Sequence, residues 1–342
     1  MLTPPDLAEA TILATVRAVY GRPAVRATFL PLGADVNAAV YRVESDDGEP
    51  YFLKLRRADF EPIAVEVPAF LRAQGIREVM APLPTADGRL WASAHGFEWI
   101  LYPFFAGRDG YEAPLSDAQW IALGRSLSAV HRAVLPPALA GRVPREDYAP
   151  RWRDIVREFD AHAGTRAYPD PLARRLAEFW MTQRAEIRTM VERAERLGHV
   201  LRDRADEVVL CHSDLHPGNV LLGENGELTI VDWDNPILAP KERDLMLLGG
   251  GVASNWNDPR QDALFFAGYG SAALDPIALS YYHYERIIAD LASFGAQIFG
   301  GMQGSAEERA WGLRMVQGNF RPGQSVEIAH SRYQQVPRNW LP

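Results

Sequence analysis

The sequence has 342 residues, 47% of them apolar and 23% charged, with 36 basic against 44 acidic side chains and a net charge of −8. That length exceeds what one hydrophobic core usually supports, so two lobes are expected, and the acidic balance disfavours nucleic-acid partners and suits a small cationic ligand. A single cysteine, Cys211, excludes an internal disulfide framework and a CxxC zinc cluster.

No apolar run reaches the roughly 18 residues of a membrane helix, and Asp6 and Glu9 stand where a secretory signal would be basic. A cytoplasmic chain with no membrane or protein partner is the expectation. In chain order, Leu7 to Tyr20 shows helical periodicity and stops at Gly21. Strands are predicted at Val25 to Leu32, Ala39 to Glu44 and Tyr51 to Arg56, the last two joined as a hairpin by Ser45-Asp46-Asp47-Gly48. A helix from about Ile63 to Gln74 is interrupted by Pro68 and closed by Gly75. Strands at Arg89 to Ala94 and Phe97 to Phe105 flank a turn at His95-Gly96, which completes a mostly antiparallel sheet with one inserted helix.

Beyond Gly107 helical periodicity dominates, at Ser116 to Val134, Trp152 to Ala161, Pro171 to Leu197, Pro259 to Ala267, Pro276 to Phe299 and Ala306 to Val316. Ser116 and Asp117 are placed to cap the first of these. The fold class is therefore α+β, with an N-terminal sheet lobe and a larger helical lobe. The helical part is broken at Val208 to Asp234, where the β-rich runs VVLC and LTIVDW bracket the densest polar cluster, Cys211-His212-Ser213-Asp214-Leu215-His216-Pro217-Gly218-Asn219.

Three chemistries fit this cluster. In one, Asp214 orients or deprotonates an attacking hydroxyl while Asn219 and Asp232 hold Mg²⁺ against nucleotide phosphates, because hard oxygen donors suit that ion. In another, His212, Asp214 and His216 ligate Zn²⁺ or Mn²⁺ in a hydrolase, although Pro217-Gly218 favours a loop on which strand alternation lapses. In the third, the two histidines only bond backbone carbonyls. Lys54 favours the first: only two lysines occur, at 54 and 241, and Lys54 lies in the strand YFLKLRR, where a compact ammonium can meet α and β phosphates. The Asp214-x-x-x-x-Asn219 spacing, strand-terminal Asp232 and Lys54 together match a kinase-type phosphoryl-transfer site. Glu66, or else Glu61, is the expected acidic partner of Lys54.

On Lys54, HSDLHPGN at 212–219, IVDWD at 230–234 and Asp244 in KERDL, the chain resembles the aminoglycoside phosphotransferase family, with its choline and homoserine kinase relatives. The resemblance spans roughly Leu30 to Ala267. It implies a bilobal protein-kinase-like fold, with a nucleotide-binding lobe at 1–102, a hinge at 103–107 and a helical lobe at 108–342. It also implies ATP and Mg²⁺ as cofactors, Asp214 as the catalytic aspartate, Asn219 and Asp232 as metal ligands, and Lys54 with Glu66 as the phosphate-positioning pair. Pro103 would accept from the purine edge and Phe105 donate to it, and His131 matches a histidine whose role is structural.

Gly33 stands alone where a phosphate loop would carry several glycines, with Asp35 and Asn37 beside it, and no D-F-G or A-P-E follows Asp232. A small acceptor is thus favoured over a protein. DWDNPILAPKERDLMLLGGG and ILYPFFAG look most like spectinomycin phosphotransferases, which implies transfer of the ATP γ-phosphate to a hydroxyl of an aminocyclitol antibiotic. Asp109, Glu112, Asp234 and Glu285, with Tyr281, Tyr282 and Trp256, are candidates for the acceptor pocket. Another small alcohol as acceptor is the alternative within the enzyme class, and a nucleotide-binding pseudokinase is the alternative outside it.

Overall fold

Alternating apolar and polar side chains build the N-terminal sheet, and the computed structural model describes residues 4–32, 38–57, 60–204, 207–249, 255–300 and 305–340. In order the elements are α1 (Glu9–Tyr20), β1 (Ala24–Leu30), β2 (Ala38–Ser45), β3 (Tyr51–Arg56), α2 (Ile63–Ala73), β4 (Ala92–Ala94), β5 (Phe97–Pro103), β6 (Gly107–Asp109), α3 (Asp117–His131) and α4 (Pro137–Ala140). Then follow α5 (Arg151–His162), α6 (Pro171–Arg202), β7 (Val209–Cys211), β8 (Val220–Gly223), β9 (Leu228–Ile230), β10 (Ile237–Ala239), α7 (Glu242–Leu245), α8 (Pro259–Tyr269), α9 (Pro276–Phe299), α10 (Ala306–Asn319) and α11 (Ser325–Tyr333). None of the described helices is long and apolar enough to cross a membrane.

The chain divides into two compact units, the first made of residues 1–144, 212–237 and 267–270, the second of 145–211, 238–266 and 271–342. Residues 108–144 and the polar cluster at 212–237 thus group with the N-terminal sheet rather than with the helices. In the first unit the sheet runs β1-β2-β3-β5-β4, antiparallel between neighbours. Helix α1 stops where Gly21 adopts φ 62° and returns its N–H to the Arg17 carbonyl, a left-handed cap that glycine takes without strain. Ile12, Val16 and Tyr20 then pack on Val43, Leu53, Leu55 and Trp99. The two-residue turn between β4 and β5 has positive φ at both His95 (53°) and Gly96 (76°), the twist that a tight hairpin needs.

Pro68 lies inside α2 without ending it; the helix gives up one backbone hydrogen bond and buries Val65, Val67 and Leu71 instead. A second small sheet, β6-β8-β9, carries the polar cluster. Gly268 of α8 approaches α3 so closely that a Cβ there would lie 1.9 Å from the Ile121 carbonyl oxygen. Gly268→Ala is therefore expected to cost about 1–3 kcal/mol, read as a lower midpoint in urea unfolding; an unchanged midpoint would contradict the close packing.

In the second unit α9 is the central helix, with α5, α6, α10 and α11 packed on it around a large apolar cluster. Glu285 of α9 pairs with Arg153 of α5 at 2.7 Å, and Arg153 also donates to the Tyr148 carbonyl at 2.8 Å. Burial pushes the Glu285 carboxyl from its ordinary 4.5 up to about 7, with Arg153 pulling the other way. A folded-state pKa above the unfolded one means that the folded protein holds the extra proton, so this group's contribution is full below 4.5 and is lost as pH rises through about 7. Arg153→Met strands the carboxylate and is expected to cost about 3–5 kcal/mol at alkaline pH and less in acid, where Glu285 protonates. Unfolding midpoints at two pH values check this; an equal loss at both would contradict it.

Candidate active site

Strand alternation in β3 buries Leu53 and Leu55 and turns Lys54 to the opposite face, where it stands across from Val40 on β2 and Ile100 on β5. Its ammonium lies 3.0 Å from Asp232 Oδ1, and 3.0 and 2.9 Å from Asp234 Oδ1 and Oδ2. Arg56, two residues on and on the same face, donates to Asp234 Oδ2 at 2.6 Å. Burial opposes the Lys54 charge, but Asp232 and Asp234 outweigh it and raise its pKa above the ordinary lysine value. Burial likewise pushes Asp232 up, and Lys54, His212 and His216 together bring it below the ordinary carboxylate value.

The loop holding Asp214 is pinned by its own side chains. His212 Nδ1 accepts the Asp214 N–H at 3.3 Å, and its Nε2 lies 2.9 Å from the Val231 carbonyl, which makes Nε2 the protonated nitrogen. The His212 ring meets buried Trp233 edge-on at 4.6 Å. His216 Nδ1 accepts the Gly218 N–H at 3.0 Å, and Asn219 Nδ2 donates to the Asp214 carbonyl at 2.8 Å. Strand pairing of Val220 with Ile230, and the Val231 N–H bonded to the Asn219 carbonyl at 3.0 Å, tie the loop to the segment bearing Asp232. Ser213 and Asp232 both have positive φ, 74° and 64°, so the chain turns sharply at each. Such strained backbone persists only where the surroundings enforce it, and it gathers at working sites.

These contacts count against the metal-hydrolase reading of the cluster. With both His212 nitrogens engaged by backbone and His216 Nδ1 by Gly218, an H-x-D-x-H metal centre would have to break the bonds that hold the loop. Asp214 keeps a carboxylate 41% exposed, with His216 Nε2 at 3.9 Å. Asp232 is 46% exposed, and the Asn219 amide nitrogen faces the Asp214 carbonyl, which leaves hard oxygen atoms as the donors this pair can offer a divalent cation.

Other expected residues take different places. Glu66 is not the partner of Lys54: among the described residues it pairs with Arg142, beyond α4, because that guanidinium reaches it while two nearer carboxylates satisfy the lysine. Pro103 ends β5 opposite Tyr51, and the Phe104 N–H donates to the Pro50 carbonyl at 3.3 Å, so Phe105 leaves the sheet half-buried. Gly33, Asp35 and Asn37 lie outside the described residues. His131 is buried with Nδ1 2.7 Å from the Tyr269 hydroxyl, a structural setting.

Tyr281, Tyr282 and Glu285 are interior residues of the second unit, and Asp109 is spent on the Tyr111 and Glu112 N–H groups at 2.8 and 3.0 Å. Arg56, and Asp234 as a counter-ion, were missed by sequence reasoning. The signal was present, because K-x-R in YFLKLRR and D-x-D in IVDWD are both two-residue spacings.

The sequence matches the phosphotransferase enzyme family over residues 28–280. Among solved structures, spectinomycin phosphotransferase APH(9)-Ia in complex with ADP and spectinomycin is 34% identical with a TM-score of 0.90, over 96% of this chain and 99% of that one. Its AMP-bound complex aligns at 32% identity and a TM-score of 0.86, over 95% and 99%. Among curated proteins, Protein StrN of Streptomyces griseus is 27% identical over 296 residues, 84% of each chain. With a kinase-like fold and a family match across most of its length, this chain belongs to the phosphotransferase enzyme family.

Proposed function

We propose that the enzyme transfers the γ-phosphoryl group of ATP to a hydroxyl of a small cationic alcohol, an aminocyclitol antibiotic of the spectinomycin kind. The observation that carries this reading is end-to-end similarity to a spectinomycin phosphotransferase at 34% identity. The loop and charge cluster around Asp214, Lys54 and Asp232 support the chemistry, and a net charge of −8 suits a cationic acceptor.

Phosphoryl transfer asks little covalent chemistry of a protein, so its residues act by positioning and by charge. Asp214 accepts a hydrogen bond from the acceptor hydroxyl, aims its oxygen at the γ-phosphorus and takes the proton as the P–O bond forms. His212 and Asn219 hold the Asp214 backbone while this happens. Lys54 meets the α and β phosphates and spreads the charge that develops on the leaving diphosphate. Asn219 and Asp232 are the residues that would hold Mg²⁺, and when bound it supplies charge neutralisation between the phosphates. Residues 103–107, which run from the end of β5 within the first unit, would offer the Pro103 carbonyl and the Phe105 N–H to the purine. ATP use also fits the cytoplasmic location expected from the sequence.

A coupled assay of ADP release with MgATP tests the acceptor class, run against spectinomycin, other aminoglycosides, choline and homoserine. Selective turnover of spectinomycin is expected. Turnover of choline or homoserine instead would discard the antibiotic reading while keeping the kinase, and ATP binding without turnover of any acceptor would favour a pseudokinase.

A further inference from the structure

We propose that Arg56 is the stand-in counter-ion of Asp234, which frees Lys54 to pass from the carboxylates to the phosphates of a bound nucleotide. This rests on the reading of Lys54 as the phosphate-binding cation. Two cations on one face of β3 meet two carboxylates that follow β9, so the cluster of Lys54, Arg56, Asp232 and Asp234 is balanced in charge. Asp234 Oδ2 is shared, accepting from Lys54 at 2.9 Å and from Arg56 at 2.6 Å.

When Lys54 turns to phosphate, each carboxylate loses a partner. Asp232, 46% exposed, stays open to solvent and to the cation it would hold. Asp234, only 20% exposed, would become a poorly solvated anion beside an anionic ligand, which is unfavourable unless another cation stays with it. Arg56 is itself 14% exposed, and its guanidinium is permanently charged and weakly hydrated. It thus holds Asp234 in both states of the lysine.

The test is the ATP dissociation constant, measured by calorimetry with MgATP and no acceptor. Arg56→Gln is expected to weaken ATP about tenfold, because Asp234 then retains Lys54. Asp234→Asn binds ATP no more weakly than the wild type, since it removes an anion near the phosphates. The double variant is expected within about threefold of Asp234→Asn alone, the second change suppressing the first. A double variant as weak as Arg56→Gln would mean that Arg56 attracts phosphate directly, and would overturn the proposal. So would Arg56→Gln with unchanged affinity.

Arg56→Lys keeps the charge and is expected to bind ATP within about threefold of the wild type, so a tenfold loss there overturns the counter-ion role whether or not Arg56→Gln folds. Failure of the wild type to bind ATP would instead defeat the reading of the site as a whole.

Discussion

Asp214→Ala is expected to lower kcat by about 10²–10⁴-fold, the usual worth of a positioned general base, while ATP binding survives. The loop geometry explains the split. Asp214 contributes a carboxylate 41% exposed, whereas its backbone carries the bonds from Asn219 and to His212 that shape the loop. Truncating the side chain removes the group that aligns the hydroxyl and leaves those backbone bonds in place. Lys54 and Asp232, the residues assigned to the nucleotide and its cation, are untouched. Steady-state kinetics with calorimetric ATP titration reads both quantities. Near-normal turnover would remove Asp214 from the chemistry, and lost ATP binding would show that the change had collapsed the loop.

Lys54→Ala is expected to reduce kcat/KM for ATP by about 10²–10³-fold, the scale of losing one preorganised charge at a site of developing charge. Of the four charged residues in the cluster it then leaves Asp232, Asp234 and Arg56, a net negative charge beside the phosphates. Arg56 cannot substitute directly, because it is already committed to Asp234 at 2.6 Å. Lys54→Arg is not expected to rescue, since a planar fork does not replace a compact ammonium that contacts two carboxylates at once. An unchanged kcat/KM in Lys54→Ala would take the lysine out of the site.

Much of this was legible in the sequence because the physics is local. The period-two runs of β2, β3 and β5 and the turn chemistry at Gly48 and His95-Gly96 depend on neighbours a few residues away, and those strands fall within about two residues of their predicted ends. The cluster from His212 to Asn219 was legible for the same reason, being one loop whose spacing encodes its geometry.

What sequence reasoning missed is tertiary. The Glu66 partner is Arg142, far along the chain, and nothing within α2 announces it. Tyr281, Tyr282 and Glu285 read as an aromatic and acidic stretch fit for a ligand, yet burial of α9 on nearly every side places them in the interior. Helix α11 has a weak apolar pattern, and it forms because Val326 and Ala329 close against the cluster around α9. Strand β10, three residues long, is too short to show a period, and it forms because it pairs with β7, the run legible as VVLC.

Transfer of a phosphoryl group from ATP to an aminocyclitol hydroxyl, as proposed for this site, leaves a product that can be identified directly. The most direct measurement is mass spectrometry with phosphorus NMR of spectinomycin incubated with the protein and MgATP, beside an Asp214→Ala control. One phosphoryl group on one spectinomycin hydroxyl, ADP in equal amount, and neither product in the control are expected. Unmodified spectinomycin, with ATP either intact or hydrolysed to ADP and free phosphate, would contradict the proposed transfer.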